Sequence, residues 1–123
     1  MNLFDSSALL CFLQGEEGAD EVERAMLVGG SVSAANWSEV AQTVTARGDD
    51  WEMARGLLQS YPLQVEPVLM VDAEVAATLW RRGSGLSLGD RLCLATASRL
   101  DATTVWTADA AWGTAAPVRR LRA

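Results

Sequence analysis

Four acidic residues stand where the chain pattern puts chemistry within reach: Asp5, Glu39, Asp90 and Asp109. Asp5 closes the apolar run "NLFD". Glu39 lies in "NWSEV", Asp90 in "GDRLCLATA" and Asp109 in "VWTADAAW". What carboxylates can do here is narrowed by the side chains the chain lacks. It has no histidine and no lysine; all ten basic residues are arginine. Without histidine there is no Ser-His-Asp or Cys-His nucleophile, no His-pair acid/base nuclease and no His-ligated metal. Without lysine there is no Walker-A phosphate loop and no Schiff-base enzyme. Carboxylates, hydroxyls and arginines remain. Carboxylates suit hard cations such as Mg²⁺ or Mn²⁺.

Asp5 is the hardest of the four to explain without a partner, because an unpaired carboxylate at the end of an apolar strand is costly. The others have ordinary readings too. Asp90 suits the start of a helix dipole. Glu39 sits three residues after Asn36, as in a capping box. Asp109 suits a turn. The acids Glu16, Glu17, Asp20, Glu21 and Glu23 form a charge run and read as one solvated face.

The elements that must position these residues alternate along the chain. Strands are expected at 2–5, 31–34, 63–68 and 103–109, with a fifth, edge strand at 117–121. Helices are expected at 7–13, 19–28 (apolar at 22, 26 and 27), 36–48 with Asn36 as N-cap, 49–61, 72–83 and 88–102. The helix over 72–83 would carry acids at its start and Arg81 and Arg82 in its last turn. Strands separated by helices predict a parallel sheet covered on both faces. In such sheets sites form beyond the carboxyl ends of the strands. That edge would hold Asp5 and Asp109, and the helix after the second strand can bring in Glu39. Asp90 follows a helix and a turn, so the pattern alone leaves its place open.

Length and composition agree with one domain over 1–123. Half the residues are hydrophobic, enough for a core without disulfides. Cys11 and Cys93 sit in apolar contexts and read as reduced core residues. No segment approaches a membrane span and no basic leader precedes the first apolar run, so a cytoplasmic protein is expected. The net charge of −6 is unlike that of a general nucleic-acid binder. It aids solubility, or reflects carboxylates clustered to hold cations.

The strings "LFDSSALL", "SAANWSEV", "LSLGDRLCLATA" and "VWTADAAW" together resemble the PIN domain, specifically the VapC-type toxins of bacterial toxin–antitoxin modules. The resemblance spans nearly the whole chain. It implies a three-layer α/β/α sandwich on a parallel sheet of four to five short strands. It also implies a metal-dependent endoribonuclease, with Asp5, Glu39, Asp90 and Asp109 as the catalytic and metal-holding acids and Mg²⁺ or Mn²⁺ as the cation; tRNA is a common target class of such relatives. Ser6 and Thr107 are then candidates to orient a carboxylate or a water, and Arg91 to contact phosphate. A cognate antitoxin protein is the implied partner, and a homodimer is expected, with the apolar helices at 7–13 and 36–58 as its surface. The chain departs from many relatives in carrying Ala110, not a basic residue, after the fourth acid. RNA attraction would then fall to arginines such as Arg81, Arg82, Arg119, Arg120 and Arg122. Trp106 and Trp112 flank Asp109 and could stack a base, although core packing is the commoner use of such residues. The alternative is a non-enzymatic module of the same fold that binds RNA or a protein. A phosphoacceptor receiver domain shares the layout but relies on a lysine absent here.

Overall fold

The sheet is built outward from β1 (Asn2–Phe4), whose Leu3 and Phe4 are fully buried, one on each face. The computed structural model describes residues 1–113, 115 and 117–121. After β1 come α1 (Ser6–Gln14) and α2 (Ala19–Val28), β2 (Gly30–Ser33), α3 (Ala34–Ala46) and α4 (Trp51–Gln59). Then follow β3 (Leu63–Glu66), α5 (Met70–Thr78), α6 (Leu88–Arg99), β4 (Thr104–Thr107), a 3₁₀ turn (Ala110–Trp112) and β5 (Val118–Arg120). The strands are all parallel, in the order β3-β2-β1-β4-β5. This is the α/β/α sandwich expected from the alternation.

Side-chain alternation along the strands divides the core. Phe4, Val32 and Trp106 point to one face, where they meet Leu9 of α1, Met26 of α2, Val40 and Val44 of α3 and Leu58 of α4. Leu3 and Val105 point to the other face and meet Cys93 and Ala97 of α6. Period-two alternation makes this division automatic once the central strands are covered on both sides. Cys11 and Cys93 belong to opposite faces and are both buried, so they do not pair. β1 and β2 approach closely because Gly30 has no side chain. A Cβ there would stand 2.5 Å from the Asn2 carbonyl oxygen and 2.8 Å from the Phe4 ring.

The chain runs from β1 toward β3 on one side, then crosses back over β1 to β4. The strand order therefore reverses between β1 and β4, and a crevice opens beyond their carboxyl ends. Asp5 and Thr107 lie at that point.

Several boundaries differ from expectation, each for a local reason. α3 begins at Ala34 because Ser33, not Asn36, caps it: the Ser33 hydroxyl accepts from the Asn36 N–H at 3.1 Å. On α2 the buried apolar residues are Val22, Ala25 and Met26, while Leu27 is 63 % exposed. α5 ends at Thr78, so Arg81 and Arg82 lie past its last turn, although Arg81 Nη1 still donates to the Thr78 and Trp80 carbonyls. α6 ends at Arg99, where Asp101 takes a left-handed turn. No helix among the described residues is long and apolar enough to cross a membrane.

α5 is clamped to α6 by one ion pair. Arg99 Nε donates to Asp72 Oδ1 at 2.9 Å, and Asp72 Oδ2 accepts from the Leu69 N–H at the helix start. Burial raises the Asp72 pKa, but the Arg99 hydrogen bond, the Leu69 N–H and the Arg99 charge outweigh it and hold it below 3.8. The sign of the linkage follows: this pair stabilises the fold fully above the unfolded value and is lost as pH falls through the lower folded value. Arg99→Ala is therefore expected to lower the melting temperature by several degrees at neutral pH. The difference from the parent should shrink in thermal melts as pH falls below 3.8.

Candidate active site at the strand switch

Asp5 is the N-cap of α1, and its carboxylate is buried at the crevice. The Ala8 N–H donates to Oδ1 at 2.8 Å. The Ser7 hydroxyl donates to the same group, 2.7 Å from Oδ1 and 2.9 Å from Oδ2. The Thr107 hydroxyl at the end of β4 donates to Oδ2 at 2.5 Å. Both hydroxyls also accept: Ser7 Oγ from the Ala108 N–H at 2.9 Å, and Thr107 Oγ1 from the Asp109 N–H at 3.0 Å. The hydroxyl protons are thus committed to Asp5, and the two strand ends are stitched together through them. Even so, burial outweighs these three donors, with a small addition from the Asp90 charge, and pushes Asp5 up to about 7.

Asp90 occupies the first turn of α6 in a reciprocal cap. Its N–H donates to the Ser87 hydroxyl at 3.1 Å, and its Oδ2 accepts from the Ser87 N–H at 2.9 Å. Burial raises its pKa, the Ser87 bonds lower it, and the charges of Asp109 and Glu39 raise it further. Asp90 is thus within the field of each of the other three acids. Asp109 caps the 3₁₀ turn, accepting from the Ala111 N–H at 2.9 Å.

Glu39 lies in the second turn of α3, not its first. A buried asparagine aims it. Asn36 Oδ1 accepts from the Ser33 hydroxyl, and Asn36 Nδ2 donates to Glu39 Oε1 at 2.8 Å and to the Gly89 carbonyl at 3.3 Å. Glu39 then lies directly over Gly89, where a Cβ would stand 2.5 Å from Oε2 and 2.8 Å from Cδ. Glycine at this position lets a carboxylate rest on the backbone next to Asp90.

The donor set is all oxygen and all anionic, which matches a hard divalent cation. Among the described residues no three acids close into a ready metal-binding group. The fit rests on donor chemistry and on the uncompensated charge around Asp90.

The other candidates sort differently. Ser6, expected beside Asp5, makes no side-chain hydrogen bond among the described residues, and its neighbour Ser7 holds the carboxylate. Helix geometry decides between them, since the cap residue meets the side chain two positions on. Arg91 Nη1 donates to the Ala76 carbonyl at 2.9 Å and ties α6 to α5. Trp106 and Trp112 are buried, with Trp106 Nε1 on Asn2 Oδ1. Arg119 pairs with Glu21 and lies over the Trp106 ring. Arg122 lies outside the described residues. Ser7, Asn36, Ser87 and Gly89 were not anticipated as site residues. Only the three-residue spacing of Asn36 and Glu39 hinted at one of them.

A PIN domain family model matches residues 3–116. The chain belongs to the PIN domain family. No curated protein matches it in sequence. Solved structures with the same fold include the following two. One is a toxin–antitoxin complex from Klebsiella pneumoniae, with TM-score 0.79, 21 % identity, and 98 % of each chain covered. The other is Mycobacterium tuberculosis VapC20, described as a sarcin–ricin loop cleaving toxin, with TM-score 0.75, 18 % identity, and 97 % of this chain and 99 % of that one covered. At these identities the likeness speaks to the fold of this PIN domain.

Two stability measurements test the site without any substrate. Thr107→Val removes a donor to Asp5 and the acceptor of the Asp109 N–H. It should cost roughly 1–3 kcal/mol in denaturant unfolding, whereas Thr107→Ser, which keeps the hydroxyl, should cost about 1 kcal/mol or less. Asp5 acts in the opposite sense. With its folded pKa near 7 and its unfolded value at 3.8, the chelated PIN domain loses stability as pH rises between the two. Asp5→Asn should then raise the unfolding free energy in EDTA at about pH 8, by an amount bounded near 4 kcal/mol. The two proteins should converge near pH 4.

Proposed function

We propose that this PIN domain, as a single unit over 1–123, is the toxin of a toxin–antitoxin pair and a Mg²⁺- or Mn²⁺-dependent endoribonuclease. The observation that carries the reading is the convergence of charge on Asp90. Asp5, Glu39 and Asp109 come to it from three different elements, with no lysine or histidine in the chain to neutralise them. Binding alone has no use for such an arrangement, which disfavours the non-enzymatic alternative.

Asp5, Glu39, Asp90 and Asp109 are the side chains that would hold the cation. When bound, it supplies positive charge to the phosphate oxygens and a water acidic enough to attack phosphorus. The chain's own residues prepare that event. Ser7 and Thr107 keep the Asp5 oxygens oriented, Asn36 and Gly89 set Glu39 against the start of α6, and Ser87 fixes Asp90. Hydrolysis adds water across the phosphorus–O3′ bond and leaves 5′-phosphate and 3′-hydroxyl ends. The family likeness and the toxin identity of both structural relatives support RNA as the polymer, and tRNA is the substrate class we propose. It would place the protein in the cytoplasm.

The partners follow from the same reading. An antitoxin arm carrying basic residues complements the acidic crevice. A groove of about 510 Å³ between α1, α3 and α4 is lined by Leu13, Val44, Met53 and Leu57, with Asp49 and Asp50 at one end. Met53 and Leu57 are 73 % and 45 % exposed. This lies within the helices 7–13 and 36–58 proposed as the homodimer surface.

Purified protein should cleave RNA with Mn²⁺ or Mg²⁺ and stop in EDTA. Asp5→Asn or Asp90→Asn should reduce cleavage at least a hundredfold while circular dichroism stays unchanged. Cleavage retained by both variants, or unaffected by EDTA, would overturn the reading.

A further inference from the structure

The segment between α5 and α6 carries the most exposed tryptophan of the chain. Trp80 is 54 % exposed, whereas Trp106 and Trp112 are buried. Arg81 and Arg82 follow it, both exposed, and neither forms an ion pair among the described residues. Arg81 Nη1 is held on the Thr78 and Trp80 carbonyls, but no carboxylate among the described residues pairs with either guanidinium, so in an acidic protein the two leave positive charge unneutralised.

The segment is attached to the crevice at two points. Ser87, its last residue, is the reciprocal cap of Asp90. Gly85 lies against Ala111 of the turn that Asp109 opens, where a Cβ on Gly85 would stand 3.3 Å from that of Ala111. Arg91, next to Asp90, donates to the Ala76 carbonyl in the last turn of α5 and so joins the two helices that the segment connects. The segment also has its own bonds: the Ser84 N–H donates to the Arg81 carbonyl at 3.2 Å, and the Leu86 N–H to the Ser84 hydroxyl at 3.2 Å. It is a preformed rim on the crevice, not a trailing loop.

We infer that Trp80, with Arg81 and Arg82, binds an unpaired nucleotide flanking the scissile phosphate, and that this rim selects single-stranded or looped RNA. The inference rests on the ribonuclease reading of the crevice and deepens it. The indole offers a stacking face, and every base has one to match it. Stacking on protein requires a base already free of its own helix, so duplex RNA gains nothing from Trp80. The two guanidinium groups complement the phosphates on either side of the stacked base. An RNA drawn to an acidic crevice needs cationic contact somewhere on its rim, and position 110 supplies none.

Binding is read by fluorescence anisotropy with a labelled unstructured RNA oligonucleotide and a labelled RNA duplex. The protein is the intact chain carrying Asp90→Asn to prevent cleavage. Adding Trp80→Ala should weaken single-strand binding about tenfold and leave duplex binding unchanged, and Trp80→Phe should restore most of the loss. In the cleaving protein Trp80→Ala should raise KM about tenfold. Unchanged single-strand affinity, or an equal loss for the duplex, overturns the inference. So does a change in oligomeric state of Trp80→Ala in light scattering, which would make the rim a protein contact. The two readings fail separately. A parent protein that cleaves RNA without dependence on Trp80 refutes the rim alone. Trp80-dependent binding in a parent that never cleaves refutes the ribonuclease reading and leaves an RNA-binding rim.

Discussion

The burial of one carboxylate organises this molecule. Asp5 closes the central strand at the point where the strand order reverses, and among the described residues no cation reaches it. Three donors surround it: the Ala8 N–H from the helix it caps, and the hydroxyls of Ser7 and Thr107. They do not cancel the desolvation, which still drives the group up to about 7. What they do is geometric. Each hydroxyl passes its proton to Asp5 and receives an N–H from the chain beyond β4. The start of α1, the end of β4 and the approach to Asp109 are therefore locked in one arrangement. A buried polar network of this kind is tolerated only when every member is satisfied.

A second arrangement of the same type works from the opposite side. Asn36 is buried in the first turn of α3, and its amide spans Glu39 and the Gly89 carbonyl. α3 and α6 thereby meet at their N-terminal ends. A side chain at 89 would push the carboxylate away. Glu39 and Asp90 are thus held near one another; burial raises the Asp90 pKa, and the charges of Asp109 and Glu39 add to it. Stability is being given up locally to hold like charges together. Strain of that sort is characteristic of sites whose function needs it.

The apolar scaffold carries this load. Core clusters on both faces of the sheet and the Asp72–Arg99 clamp between α5 and α6 fix the helices that carry or adjoin the acids. The acids and the proposed RNA rim differ in kind. The carboxylates sit on or beside regular elements, whereas Trp80 and its arginines sit on a short connection. Rigid elements suit groups that must keep fixed distances, and connections suit groups that recognise shape.

Local rules made much of this legible beforehand. Alternating strands and helices dictated a parallel, doubly covered sheet, because short parallel strands need helical crossovers. The missing histidine and lysine restricted the chemistry to carboxylates, and the strand-end rule put Asp5 and Asp109 at one edge. Those inferences depend only on period, composition and topology. Tertiary structure decided the rest. Ser6 and Ser7 are indistinguishable as residues, and only the helix turn that begins at Asp5 determines which hydroxyl returns to the carboxylate. Asn36 looked like a cap because it has a cap's chemistry, yet Ser33 reaches the free N–H first, which releases Asn36 to orient Glu39. Asp90 could not be placed by pattern because the crossover that carries it spans two helices and a loop. Trp80 was indistinguishable by type from the buried tryptophans until packing left it outside. A sequence states which groups are available and at what period. Which of them meet depends on contacts between residues far apart in the chain, and those are settled only when the whole sheet has closed around β1.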